Sequence, residues 1–356
     1  MKLEDDLEAI RTGPSAKVRI AVFAALVVVC VGVGVGYLIH ARQNNPTAGP
    51  PTEPTTANLA GILAKPHLVF RNTDVGANYG KVEVVALDDR NGPRGVTPLT
   101  CDRVTMQGSI GVCLTSTNGI IKTYKGEIFD ANFKVTNTFS LPGIPSRVRM
   151  SPDGKYAATT AFVTGDSYAG SNFSTRAQFV DTSTGAIISN LEGFNVTDNG
   201  QPVNAVSKNY WGVTFAPDSD HFYATLAVGT KIQMIEGSVQ AKAGQTVLDD
   251  VECPSLSPDG TRVAYKKRVG GGFSAVKWRL HVYNLQTHTD IALAETRSVD
   301  DQVEWLDNST ILYGMARDTT ASTAYDTFAV PADGSGAPAM YVSGAFSPTV
   351  MPADPS

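Results

Sequence analysis

Two short acidic clusters are the first residues of this chain whose types and spacing suit chemistry. Asp249, Asp250 and Glu252 form one, and Asp300, Asp301 and Glu304 form the other. Each stands just before a strand expected to line an axial channel, so together they would form an anionic channel mouth suited to a cation or a basic peptide. The competing reading is a pair of ordinary solvated loops. Between them lies a basic and aromatic stretch with Lys266, Lys267, Arg268 and Phe273. Further aromatics stand upstream at Tyr168, Phe173, Tyr210 and Trp211. On loops above a rigid scaffold, such residues do recognition. Tucked inward, they would only pack those loops.

Catalytic motifs are missing. Gly165-Asp166-Ser167-Tyr168-Ala169-Gly170 misses the spacing of a nucleophile elbow by one residue. Gly270-Gly271-Gly272 has no Lys-Ser/Thr behind it, so it is no phosphate loop. The four cysteines form no Cys-x-x-Cys and the five histidines are scattered, which argues against zinc. A net charge of −5 argues against a nucleic-acid partner. No catalytic residue, metal or cofactor is therefore expected. A hydrolase or lactonase with a metal at a channel mouth stays as the alternative, because scattered carboxylates leave no local motif.

The elements that must position these residues announce themselves by their turns. Met150-Ser151-Pro152-Asp153-Gly154 leads into Tyr156-Ala157-Ala158. Ser, Pro and Gly at these offsets suit a type I turn between two strands. Leu256-Ser257-Pro258-Asp259-Gly260 repeats it. Looser copies are Phe215-Ala216-Pro217-Asp218-Ser219, Trp305-Leu306-Asp307-Asn308-Ser309, Met106-Gln107-Gly108-Ser109 and Phe346-Ser347-Pro348-Thr349. Copies recurring about every 45 residues predict an all-β, six-bladed β-propeller. The sixth copy has no room for a blade behind it. The strand near Tyr341–Ser347 is therefore expected to complete the first blade as its innermost strand, closing the ring. Two enlarged loops of the third blade, Gly165–Thr175 and Phe194–Trp211, are expected on one face.

A hairpin centred on Gln107 would set Val104 opposite Ile110 and Cys101 opposite Cys113. Facing residues lie within disulfide reach, so this register predicts a Cys101–Cys113 bond in an oxidising compartment. Cys253 falls at the corresponding position three blades on and is expected to stay a free thiol. Three buried thiols are the alternative.

From Ile20 to Ile39 there is no charged residue. About twenty apolar residues span a bilayer. Lys2, Arg11, Lys17 and Arg19 precede the run, which places the N-terminus in the cytoplasm and the rest outside. A cleaved signal peptide competes, but no Ala-x-Ala site follows. Gly32 and Gly36 form a G-x-x-x-G that suits a weak helix dimer. The expected organisation is a cytoplasmic tail at 1–19, with Leu3, Leu7 and Ile10 at helical spacing, then a transmembrane helix at 20–39. A Pro/Thr-rich linker at 40–61, the propeller at 62–349 and a tail at 350–356 follow.

The Ser-Pro-Asp-Gly turns, each followed by a short apolar strand, resemble the repeats of TolB-type propellers, six-bladed relatives of WD-repeat proteins. The resemblance covers residues 62–349 and implies the fold. The same turns occur in the propellers of prolyl-oligopeptidase-type peptidases. TolB-type proteins carry an α/β domain before the propeller, where this chain has an apolar run and a proline-rich tether. The reading is a membrane-tethered, extracytoplasmic propeller that binds an envelope protein or a ligand. Its alternatives are the metal hydrolase above and a transmembrane sensor with a cytoplasmic docking helix.

Overall fold

The structure is a computed structural model that describes residues 15–43, 59–117, 122–163, 174–270, 276–317 and 324–353, with side chains only to residue 34 in the first stretch. The chain divides into two compact units, Met1–Pro51 and Thr52–Ser356. In the first, helix α1 covers Ala16–Gln43, 28 residues. Its stretch Ala16–Gly34 has a mean hydropathy of 2.3 and no buried residue. At 1.5 Å per residue, such a helix is about 42 Å long, more than the hydrocarbon core of a bilayer. It runs past Ile20 and Ile39 at both ends. Gly32 and Gly36 both lie on it. The tail at 3–10 and the linker at 44–58 lie outside the described residues.

The second unit opens with a short helix, α2 (Leu59–Leu63), whose Ile62 is buried against the first blade. Strands β1 (His67–Asn72), β2 (Lys81–Ala86) and β3 (Gly95–Thr100) follow. Blade 2 is β4 (Arg103–Gln107), β5 (Ile110–Thr117), β6 (Thr123–Asp130) and β7 (Val135–Ser140). Blade 3 is β8 (Ile144–Met150), β9 (Tyr156–Val163), β10 (Ser174–Asp181) and β11 (Ile187–Asn190). A hairpin of β12 (Asn195–Asp198) and β13 (Gln201–Pro202) comes next. Blade 4 is β14 (Lys208–Phe215), β15 (His221–Val228), β16 (Lys231–Ser238) and β17 (Ala243–Asp249). Blade 5 is β18 (Glu252–Leu256), β19 (Arg262–Gly270), β20 (Lys277–Asn284) and β21 (Asp290–Ala292). Blade 6 is β22 (Glu304–Trp305), β23 (Thr310–Ala316), β24 (Tyr325–Pro331) and β25 (Ala339–Val342). The last strand, β26 (Ala345–Met351), pairs with β1 and becomes the innermost strand of blade 1. This is a six-bladed propeller closed by its own C-terminal strand, which leaves no open seam in the ring.

Each turn repeat has a physical account. In blade 3 the Ser151 hydroxyl donates to Asp153 Oδ1 at 2.6 Å, and the Lys155 N–H donates to the same oxygen at 3.0 Å. Blade 5 repeats both bonds, from Ser257 at 2.6 Å and from the Thr261 N–H at 3.0 Å to Asp259 Oδ1. Gly154 and Gly260 take φ of 72° and 69°, where a side chain would be strained. The turns also join neighbouring blades. The Asp153 N–H donates to Ser219 Oγ at 3.1 Å, and the Asp259 N–H donates to Asn308 Oδ1 at 3.1 Å. One turn copy therefore satisfies a donor of the copy before it.

An apolar cluster fills every junction between blades. The junction of blades 3 and 4 is aromatic, with Phe179, Phe194, Phe215 and Phe222 buried together. The Phe179 and Phe222 rings lie 5.1 Å apart. Burying one such ring is worth about 1.5–3 kcal/mol. Val69, Val84, Val104 and Phe129 fill the junction of blades 1 and 2, and Leu68, Phe70, Leu312 and Val342 that of blades 6 and 1.

Three expectations are corrected. Phe346-Ser347-Pro348-Thr349 is not a turn but lies inside β26, which spans Ala345–Met351 rather than Tyr341–Ser347. It has no Asp or Gly to close a turn. Instead the register with β1 slips there, Ser347 takes φ of 54°, and its hydroxyl donates to the Val104 carbonyl at 3.0 Å. The stretch from Phe194 to Trp211 is not one loop. Its β12–β13 hairpin extends the outer edge of blade 4, with β12 parallel to β17, while Tyr210 and Trp211 sit within inner strand β14. The first hairpin of blade 2 turns at Gly108-Ser109, with Gln107 opposite Ile110 and Val104 opposite Cys113. Gly108 at φ of 55° sets that turn.

Candidate functional site

Inner strands line the axis, and all six begin on one face. The residues that start them therefore converge. Arg103 opens β4, Glu252 opens β18, and Arg147, Trp211 and Phe346 lie near the starts of β8, β14 and β26. Blade 6 has a short inner strand, and the loop before it supplies Asp300 and Asp301. All of these except Asp301 line a cavity of about 500 Å³. Its outer wall comes from the second and third strands of the blades and includes Phe162, Lys266, Arg268, Trp278 and Tyr325.

The lining holds four cationic side chains, Arg103, Arg147, Lys266 and Arg268, and two carboxylates, Glu252 and Asp300. The expectation of an anionic mouth is therefore corrected. Each carboxylate meets a cation from another strand. Arg268 Nε donates to Glu252 Oε1 at 2.6 Å, and Trp278 Nε1 donates to the same atom at 2.9 Å. Asp301 is buried behind the wall, 3.3 Å from Arg103 and accepting the Gly314 N–H at 3.0 Å. Asp300 is bonded to Lys266 and lies 3.6 Å from Arg147. Burial pushes the Arg103 guanidinium down to about 10, and repulsion from Arg147 adds to that against the pull of Asp301. Burial acts against ionised Asp300, but Lys266 and Arg147 hold it below the ordinary carboxylate value. Both groups are charged at neutral pH.

Aromatic rings complete the wall. Arg103 lies 4.2 Å from the centre of the Phe346 ring, and Tyr325 packs on that ring at 4.4 Å. Lys266 lies 4.4 Å from the centre of the Trp278 ring. Such stacking holds the cations in place and keeps the rings at the cavity surface.

A second, smaller cavity of about 160 Å³ opens at the other ends of the inner strands. Arg149 reaches Glu304 there at 3.2 Å. Burial raises the Glu304 carboxyl against the pull of Arg149. Gln302 ties blade 6 to blades 4 and 5, donating to the carbonyls of Val213 and Pro254 at 2.9 Å each.

The structure thus gathers Trp211, Lys266, Arg268, Glu252 and Asp300 around one cavity, with Asp301 directly behind. Other residues singled out from the sequence stand elsewhere. Tyr210 is fully buried in the core between blades 3 and 4. Lys267 points to the opposite side of β19 from its neighbours, as alternation requires, and pairs with Asp290 at 3.0 Å. Asp249 accepts Gln233 Nε2 at 2.8 Å, Asp250 does not line the cavity, and Glu304 belongs to the other mouth. Tyr168, Phe173 and Phe273 lie outside the described residues. Sequence reasoning missed Arg103, Arg147, Phe162, Trp278, Tyr325 and Phe346. A signal existed for Arg103 and Arg147, each of which stands four residues before a turn copy, at Gln107 and Ser151. Arg147 precedes Ser151 much as Glu252 precedes Ser257.

Cys101 and Cys113 are joined in a disulfide, and Cys253 is a buried free thiol on the cavity wall. No group of three His, Cys, Asp or Glu side chains suited to a metal occurs among the described residues.

No family model matches this sequence, and no curated protein matches it. Among solved structures the chain is similar to TolB from Acinetobacter baumannii, at 15% identity and a TM-score of 0.51, over 82% of this chain and 67% of that one. It is also similar to a chain of a nidogen/laminin complex, at 11% identity and a TM-score of 0.52, over 80% of this chain and 98% of that one. It spans 45% of a puromycin-hydrolysing peptidase from Mycobacterium tuberculosis, at 12% identity and a TM-score of 0.45. The fold is the TolB-like six-bladed propeller.

Proposed function

We propose that this chain is a membrane-tethered, extracytoplasmic recognition module of a bacterial cell envelope. The propeller presents its channel mouth to an envelope protein or a ligand. One observation carries the reading: a cavity of about 500 Å³ whose wall combines aromatic rings with nearly buried, paired charges. Concave sites with apolar walls and a few placed polar groups are where ligands bind. Helix α1 supports the tether, and the charge bias around Ile20–Ile39 supports the orientation.

Photo-crosslinking tests the reading on the full chain in its membrane. A photoreactive phenylalanine replaces Ile144, which is 49% exposed and lines the cavity. The control replaces Lys134, exposed on the opposite face between β6 and β7. A discrete adduct from position 144 and none from 134 is expected. Adducts from 134 alone would move recognition to the other face.

A further inference from the structure

We infer that the mouth binds an organic carboxylate with an apolar or aromatic body, and that the ligand's carboxylate replaces that of Asp300 on Arg147 and Lys266. The inference rests on the mouth being the recognition site.

The three carboxylates at the mouth are not held alike. The side chains of Glu252 and Asp301 are 4% and 3% exposed. Each is fixed by an N–H donor as well as a cation. Asp300 is 59% exposed and stands on the loop before β22, yet its partners Lys266 and Arg147 are only 4% and 10% exposed. Two buried cations need an anion, because an unpaired buried charge is costly. Glu252 also lies 4.0 Å from Lys266, but the anion these two cations share is Asp300, which keeps 59% side-chain exposure, so releasing it costs less desolvation than releasing Glu252 or Asp301 would. Asp300 therefore behaves as a replaceable counter-ion.

Arg147 has the Cys253 thiol beside its guanidinium, yet one of its donors is unused. Its Nη1 donates to the Ser146 carbonyl at 2.9 Å, and its Nη2 faces Asp300. Its Nε is buried and has no hydrogen-bond partner. A guanidinium takes a carboxylate by two parallel N–H bonds. Nε and Nη2 form one such edge, and only half of it is occupied. Thr175 Oγ1, another buried atom on the same wall, also lacks a partner. A ligand carboxylate laid across that edge would satisfy Nε and Nη2 together. Four lining cations against two lining carboxylates favour an anion, and Trp211, Trp278 and Phe162 give its body an apolar wall. A cavity of about 500 Å³ holds one or two residues of a peptide, so a peptide's free C-terminus and a free aromatic acid share this chemistry.

The test uses the full chain in detergent and tryptophan fluorescence. Of the three tryptophans, Trp211 and Trp278 line this cavity and Trp305 lines the other. The probes are N-acetylphenylalanine and its amide. The carboxylate should change the fluorescence saturably and the amide should not. Asp300→Asn removes the competing anion and should tighten carboxylate binding by about tenfold, the size of one charge-assisted bond. Lys266→Met should weaken it by about as much. Asp300→Ala provides a second variant should the amide form pair with Lys266. Equal binding of acid and amide, or weaker acid binding in both Asp300 variants, overturns the inference. So does absence of acid binding in all forms, and the Ile144 adduct then still reports on the mouth as a recognition site. An acetylated tetrapeptide ending in phenylalanine separates the sources. Tighter binding than the single residue supports a peptide tail, and equal binding supports a free acid.

Discussion

Cys101 is bonded to Cys113, although the residue opposite Cys113 in the ladder is Val104. The bond is therefore not a cross-strand pair. Cys101 lies in the link between β3 and β4, and Cys113 lies in β5. The link curls back so that the two Cα atoms are 5.4 Å apart. Both sulfurs sit in the core between blades 1 and 2. The disulfide pins the passage from one blade to the next.

Replacing both cysteines by alanine should lower stability by about 2–3 kcal/mol, the value for a loop this short. The Tm of the double variant should match that of the reduced wild type. A non-reducing digest should yield a Cys101–Cys113 crosslinked peptide. Cys253, at 2% exposure, should resist alkylation until the protein unfolds. Alkylation of Cys101 and Cys113 in native protein would refute the bond.

The turns give a pH dependence. The Ser257 hydroxyl, then Thr261 and Arg262, hold the Asp259 carboxyl well below the ordinary carboxylate value. A folded-state value below the unfolded one stabilises the fold above the unfolded value, about pH 3.9. That stability is lost as pH falls further towards the folded value. Asp259→Ala should therefore lower the Tm at pH 7, by about 2 °C for the loss of about 1 kcal/mol. The gap to wild type should narrow below about pH 4. A gap that stays constant down to pH 2 would assign the loss to packing instead.

Tyr210 is fully buried and its hydroxyl has no hydrogen-bond partner among the described residues. Burial, with Glu192 adding to it, raises that hydroxyl far above its usual value. An unsatisfied buried hydroxyl costs about 1–3 kcal/mol. Tyr210→Phe should leave the fold intact and keep or raise the Tm, with no effect on binding at the mouth. A drop of several degrees in a thermal melt would reveal a partner for the hydroxyl.

Orientation is tested from the far end of the chain. A reporter that fluoresces only in the cytoplasm, joined after Ser356, should stay dark, because the positive charges precede Ile20. Bright fluorescence from intact membrane-bound protein would reverse the proposed topology.

The blade count, the order of strands and the closing role of the C-terminal strand were all determined by the sequence alone. They rest on local chemistry. Ser151 bonds Asp153 two residues on, and Gly154 follows with the φ that turn requires, so the repeat is written in consecutive residues. The apolar span at Ile20–Ile39 is equally local, since length and hydropathy decide it. Finer register was not legible. Phe346-Ser347-Pro348 looks like a turn, but it is read as a bulge because Val104, from the next blade, accepts the Ser347 hydroxyl. Only the tertiary structure decided the charge of the mouth. Asp300 and Asp301 read as an acidic cluster in the chain. Their cations, Arg147 and Arg103, stand 153 and 198 residues away. Ring closure brings strand starts from different blades to one axis, and electrostatics there depends on distance in space, which no spacing along the chain records.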